Sequence, residues 1–304
     1  MSSPTIAGRL KTRLAPSQRP ALSPTRLALR RFRAHRLAMF GTTVLLLIVL
    51  ITLSASLIAP YDPVAVDLTA SRQPPSPAHL LGTDSTGRDV LSRLMHAAQV
   101  SLTVGLAAAL LQTGVGLALG LVAGYYRGAA DNVISRVTEV VLSYPLLIVI
   151  IVIVAILGPG QSSIILGIGL FGWPTACRIV RGLVFSLREQ DFVLAARSIG
   201  ATDARLISRH LLPLVLGPLT VTATFAVAYA VLLEASLSFL GLGIRPPRPS
   251  WGNMLNEAQA LPILESMPWL WVPPGAAIVL TVLAINFVGD GLRDALDPRQ
   301  RATQ

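Results

Sequence analysis

Residues Gln99 to Tyr125 read QVSLTVGLAAALLQTGVGLALGLVAGY, and none of them carries a charge. A helix rises about 1.5 Å per residue, and about 20 apolar residues cross the hydrocarbon of a bilayer. This run is long enough to span, and Arg127 closes it. Gly116, Gly120 and Gly124 recur at four-residue spacing. Small residues at that spacing let a neighbouring helix approach closely.

Five more runs of the same kind lie around it. Leu37 to Tyr61 is charge-free over 25 residues, too long for the apolar part of a cleaved leader, and reads as an anchor. Val140 to Leu157 is dense in aliphatic residues and ends at Gly158-Pro159-Gly160. Ser162 to Cys177 ends at Arg178, Leu211 to Leu233 at Glu234, and Val272 to Val288 at Asp290. The 304 residues are 53% hydrophobic and 13% charged, with a mean hydropathy of +0.64. Soluble domains carry about 25% charged residues, so a disordered chain is excluded and an ordinary cytosolic enzyme disfavoured.

The basic excess is distributed by topology. With the N-terminus in the cytosol, 20 Lys and Arg fall on the inner side and 5 in the outer segments 61–98 and 234–271. The positive-inside rule selects this orientation, with both termini cytosolic. The net charge of +10 is then a membrane asymmetry and not a nucleic-acid surface. Residues 1–36 hold nine basic residues and no acid, which suits a cytosolic tail near anionic lipid, with helix from about Thr25.

Several chemistries lack their residues. Cys177 is the single cysteine, so neither an internal disulfide nor a thiolate metal cluster is available. Lys11 is the single lysine, and Leu10 stands before it where a phosphate-binding loop needs glycine. Uphill transport would need a partner that hydrolyses ATP. Glu234 lies about 32 Å along its helix from Pro213, at the outer boundary, as an interfacial or packing carboxylate or a candidate gate or substrate contact. One such group is too little for a proton relay.

The longest inner loop, 188–213, reads as a short helix, a glycine break and a second helix. Ala195 and Ala196 are small enough for close packing by another protein. Gly200 allows a tight turn, Thr202 can cap the next helix and Asp203 suits its first turn. Arg197, Arg205 and Arg209 can reach acidic groups on a partner. The outer stretch His79 to Arg93 carries turn points at Gly82 and Gly87, and Asp84 or Thr86 can cap the following helix. The Asp84/Asp89 pair lacks the acid pattern of a calcium loop. Trp251, Trp269 and Trp271 stand where interfacial aromatics stand, in a loop stiffened by Pro246, Pro247 and Pro249.

Ala195, Ala196, Gly200, Leu212 and Pro213 resemble the E-A-A-x3-G-x9-I-x-L-P signature of ABC importer permeases. Leu194 replaces its glutamate and His210 its isoleucine, and R-H-x-L-P is common in the peptide branch. His79, Gly82, Thr83, Asp84, Gly87, Arg88, Asp89, Ser92 and Arg93 resemble the H-x-x-G-T-D-x-x-G-R-D-x-x-S-R run of dipeptide, oligopeptide and nickel permeases. Gly172-Trp173-Pro174, Leu233 to Gly243, Pro246 to Gly252 and Gly289 to Pro298 extend the likeness over about residues 30–300.

The resemblance implies an all-α polytopic membrane protein with six transmembrane helices, of the type I ABC importer permease fold. The expected parts are a basic tail at 1–36, a peripheral first span with its outer loop at 37–98, a permease core at 99–290 and a cytosolic tail at 291–304. It implies that Ala195, Ala196, Arg197, Gly200, Asp203, Leu212 and Pro213 couple the chain to ATPases. It also implies a second permease chain, two ATP-binding subunits carrying ATP and Mg, and an extracytoplasmic solute-binding protein. The chain itself would bind no cofactor or metal and perform no catalysis. Its task would be alternating access for di- or oligopeptides across the cytoplasmic membrane. Nickel, glutathione or another small solute is the alternative cargo, and a proton-coupled carrier the alternative machine.

Overall fold

The computed structural model describes residues 24–296. Most of the expected basic tail (1–23) and the last part of the C-terminal tail (297–304) lie outside the described residues. The described residues form helices, connected by turns and one isolated antiparallel bridge between Thr83 and Asp89. The helices are α1 (Pro24–Ala34), α2 (Arg36–Ile58), α3 (Val90–Tyr126), α4 (Gly128–Leu142), α5 (Leu146–Leu157), α6 (Gln161–Phe171), α7 (Pro174–Leu187), α8 (Asp191–Ser198), α9 (Asp203–Phe239), α10 (Trp251–Glu257), α11 (Leu261–Ser266) and α12 (Val272–Leu296).

Among the described residues, five helical stretches are long and apolar enough to cross a membrane: α2, α3, α6 with α7, α9 and α12. The bent pair α4 and α5 makes a sixth if counted as one span. The expected continuous third span, Val140 to Leu157, is not one helix. It straddles an 84° bend between Leu142 and Leu146. Pro145 has no N–H and crowds the preceding turn, so α4 ends at Leu142 and a new helix starts after the proline. The expected fourth span is longer than its apolar run, because the helix resumes at Pro174 and carries on to Leu187.

α3 is the central element and packs against α6, α7 and α9. Its 37 residues make a rod about 55 Å long, well beyond the hydrocarbon thickness. The glycine stripe meets α7 as the spacing predicts. A Cβ on Gly116 would stand 2.6 Å from the Ala176 Cβ, one on Gly120 2.7 Å from the Val180 Cβ, and one on Gly124 2.7 Å from the Val184 Cβ. No side chain larger than hydrogen fits there.

α2 is peripheral. It packs on α12, where a Cβ on Gly41 would stand 2.6 Å from the Ala284 carbonyl oxygen. Its Leu46, Leu50, Leu53 and Leu57 point outward and are exposed. Such a surface suits lipid and not water. α1 precedes it as a short helix, with His35 Nδ1 accepting from the Ala38 amide at the break (3.1 Å). His35 and Phe32 both reach the last turns of α12, at Asp294 and Gly291. The two ends of the described chain therefore meet at one end of the bundle. The 188–203 segment lies at that same end of α3, and the 61–89 and 240–271 segments gather at the other.

Candidate functional site

At the end of the bundle where α3 stops, α8 lies across the exit of α7 and the entry of α9. Its sequence divides it into two faces. Val193 and Ala196 are buried against Val180, Val184, Leu206, Leu211 and Tyr125. Phe192, Leu194, Ala195 and Arg197 are exposed. The two alanines therefore differ: Ala195 faces outward, and Ala196 is 8% exposed and belongs to the chain's own core. The two alanines expected to serve a partner thus have different surroundings, since adjacent residues on a helix are about 100° apart.

Gly200 ends α8. The Ala201 amide donates to the Ala196 carbonyl (3.1 Å) and the Gly200 amide to the Arg197 carbonyl (3.0 Å), with Gly200 at φ +87°. This is a Schellman closure, and the left-handed residue in it is usually glycine. The turn leaves Ile199 at 88% exposure beside the outward face of α8. Thr202 takes the extended N-cap conformation before α9, but its side chain makes no capping hydrogen bond. Leu206–Leu211 is a π-helical turn, and Leu212 and Pro213 follow it into the long part of α9.

Tyr125, a residue the sequence reading passed over, ties this assembly together. Its hydroxyl donates to Asp203 Oδ1 (2.5 Å) and accepts from Arg197 Nη2 (3.1 Å). Arg188 donates to the Tyr125 carbonyl and lies over its ring, as does Arg197. Arg127 donates to Glu189 Oε1 (2.6 Å) and stacks on Phe185 (4.4 Å). Asp131 and Arg181 pair through both carboxylate oxygens. Arg197 thus holds α8, and Asp203 the start of α9, to α3, while Arg205 and Arg209 stand exposed. The one available signal for Tyr125 was an aromatic at the close of a charge-free run facing arginines.

The His79 to Arg93 stretch folds as a knot. Asp84 Oδ1 accepts from the amides of Thr86 (2.8 Å) and Arg88 (3.0 Å) and from the Thr86 hydroxyl (2.9 Å). Its Oδ2 accepts from Arg88 Nε (2.7 Å) and pairs with Arg93 (3.4 Å). Burial pushes the Asp84 carboxyl up, but Arg93, the Thr86 amide and Arg88 outweigh it and hold it below its ordinary value of 3.8. Arg88 and Arg93 continue to Glu257 at 3.0 and 2.8 Å, linking the 61–89 segment to α10. Thr83 donates to the Ala70 carbonyl and accepts from the Gln73 amide (2.8 Å). Gly82 and Gly87 take φ +71° and +76°. The cap of α3 is Asp89, not Asp84 or Thr86: Asp89 Oδ2 accepts from the Ser92 amide (2.8 Å) and hydroxyl, while Oδ1 meets His79 (3.0 Å).

Glu234 is fully buried, and so stands away from the open surface. It accepts from Ser101 on α3 (2.8 Å) and from Ser238 (2.7 Å). Trp251 is also buried, with its amide donating to Ser101 Oγ (3.3 Å), so the expected interfacial tryptophan is a core residue. Trp271 is exposed.

Comparison with known proteins identifies the setting. Residues 116–302 match the binding-protein-dependent transport system inner membrane component, and residues 23–75 match the N-terminal TM domain of oligopeptide transport permease C. A putative peptide permease protein of Brucella suis biovar 1 is 42% identical over 98% of this chain and 99% of its own. The dipeptide transport system permease protein DppC of Bacillus subtilis is 41% identical over 97% of this chain and 92% of its own. The fold is similar to the inward-facing MetNI methionine ABC transporter, with a TM-score of 0.55 at 20% identity over 67% of this chain and 96% of that one. The extended match, the helical architecture and the folded 188–213 segment agree, and the chain belongs to the binding-protein-dependent transport system inner membrane component family.

Proposed function

We propose that this chain is the non-catalytic permease subunit of an ATP-driven importer of di- or oligopeptides, with six spans and both termini cytosolic. The outward face of α8, rigidly tied to the bundle through Val193, Ala196 and Tyr125, carries the reading. A docking helix that moved freely could not transmit a push. This one is clamped to α3 by Arg197 and joined by a stiff turn to α9, whose Asp203 binds the same Tyr125, so force on it tilts the long helices together. Two ATP-binding subunits holding ATP and Mg would supply that force, one on this chain and one on a second permease chain. The translocation path would run between the two permease chains, and a solute-binding protein would deliver cargo to the end bearing the Asp84–Glu257 knot.

Peptide cargo is supported by relatives named for peptides and dipeptides over nearly the whole chain. The test is uptake by proteoliposomes holding the assembled complex. Peptide uptake should require ATP and a hydrolysis-competent ATPase partner. Uptake that persists with a hydrolysis-dead partner would sink the ATP-driven reading, and uptake of nickel or glutathione in place of peptides would replace the cargo.

A further inference from the structure

A cavity of about 670 Å³ opens between α3, the α4–α5 bend, the α6–α7 junction, α9 and the end of α12. Its walls are largely apolar with a few convergent polar groups, the usual make-up of a small-molecule site. Gln112 and Thr113 on α3 line it and are 5% and 8% exposed. Yet Gln112 Nε2 and Thr113 Oγ1 have no hydrogen-bond partner among the described residues. Buried polar atoms are nearly always paired, so two neighbours unpaired on one wall call for a ligand. Gly172 makes room for this arrangement, because a side chain there would overlap the Gln112 amide. Among the described residues that line the cavity, Arg293 carries the one charge and none is acidic. That lining disfavours a metal cation and suits a neutral amide chain with a terminal carboxylate.

We infer that this cavity receives the transported peptide, with Gln112 and Thr113 pairing with its backbone amides and Arg293 attracting its C-terminal carboxylate. A peptide backbone offers both the acceptor that Gln112 Nε2 needs and a partner for the Thr113 hydroxyl. The inference rests on the peptide-importer reading and adds the residues that would recognise the cargo within this chain.

The assembled complex in lipid nanodiscs tests it. Cys177 is the single native cysteine, so a chain carrying Cys177→Ser and Thr222→Cys has one thiol, placed on the cavity wall. Trialanine is expected to slow labelling of that thiol by a polar maleimide, and trialanine amide to do so less well. Thr113→Val and Gln112→Leu should each raise the half-protecting concentration about three- to tenfold. Thr113→Ser, which keeps the hydroxyl, should leave it unchanged, a distinction that a packing role would not produce. If trialanine does not protect although the same complex imports it, this inference fails and the importer reading stands. A thiol that never reacts in the complex, because the second permease chain covers it, also overturns the inference. If the wild-type complex imports no peptide, the reading and the inference fall together.

Discussion

At the residue scale, two carboxylates set the behaviour of the end that bears the 61–89 and 240–271 segments. Glu234 is wholly enclosed, and two serine hydroxyls from different turns and helices point at it. Glu234→Leu strands both hydroxyls and is expected to destabilise the chain by about 2–3 kcal/mol, read as a lower melting temperature in detergent, with Glu234→Gln milder. Asp84 responds to acid. Its native pKa lies below the ordinary 3.8, so its ionised form is the one the fold favours. Its contribution is whole above the unfolded value and is lost as pH falls through the depressed native value. Below about pH 4 the knot should loosen, seen as faster proteolysis between residues 61 and 89, and Asp84→Asn should remove much of that acid dependence. The sequence marked both residues as noteworthy. What each one touches came from the fold: Ser101 is 133 residues from Glu234, and the arginines that hold Asp84 are themselves held by the remote Glu257.

At the element scale, α8 shows how a motif divides its labour. Ala195→Arg is expected to abolish co-purification of the ATPase partner while leaving the melting temperature of the permease unchanged. Ala196→Arg should lower both, because that side chain enters the core beneath α8. Gly200→Pro should also prevent docking, since proline can neither adopt φ +87° nor donate to the Arg197 carbonyl. Loss of docking by Ala196→Arg alone would show that the outward face is not the contact. The glycine stripe of α3 is equally specific. Gly120→Val would drive methyl groups into Val180 and the Cys177 carbonyl and should destabilise the chain by about 1–3 kcal/mol in the same melting assay. The stripe was legible because close helix packing writes itself as small residues at fixed spacing. The 84° bend was less so: hydropathy counts apolar residues, and Leu146 to Leu157 is apolar whichever way it points.

At the scale of the whole molecule, the two ends of the bundle are built differently: a knot of ion pairs at one end, and at the other the clamped helix α8, for which a docking role is proposed. The charge asymmetry predicts that reporters fused to either terminus will read as cytosolic and that one inserted at 245–249 will read as external. A cytosolic reading for the 245–249 insertion would reverse the orientation. Period, charge and motif spacing determined the class of protein, its apolar runs, the glycine seam and the helix–glycine–helix segment at 188–213. These are properties of consecutive residues in a solvent that forbids buried charge and unpaired backbone. Tertiary structure alone decided that Asp89 caps α3, that Ala196 faces its own core, that Tyr125 joins three elements, and that Gln112 and Thr113 share a cavity wall with Arg293. The Asp89 cap is a local choice among nearby candidates, whereas the other pairings span tens to nearly two hundred residues, and helix packing sets which of those side chains come within reach of one another.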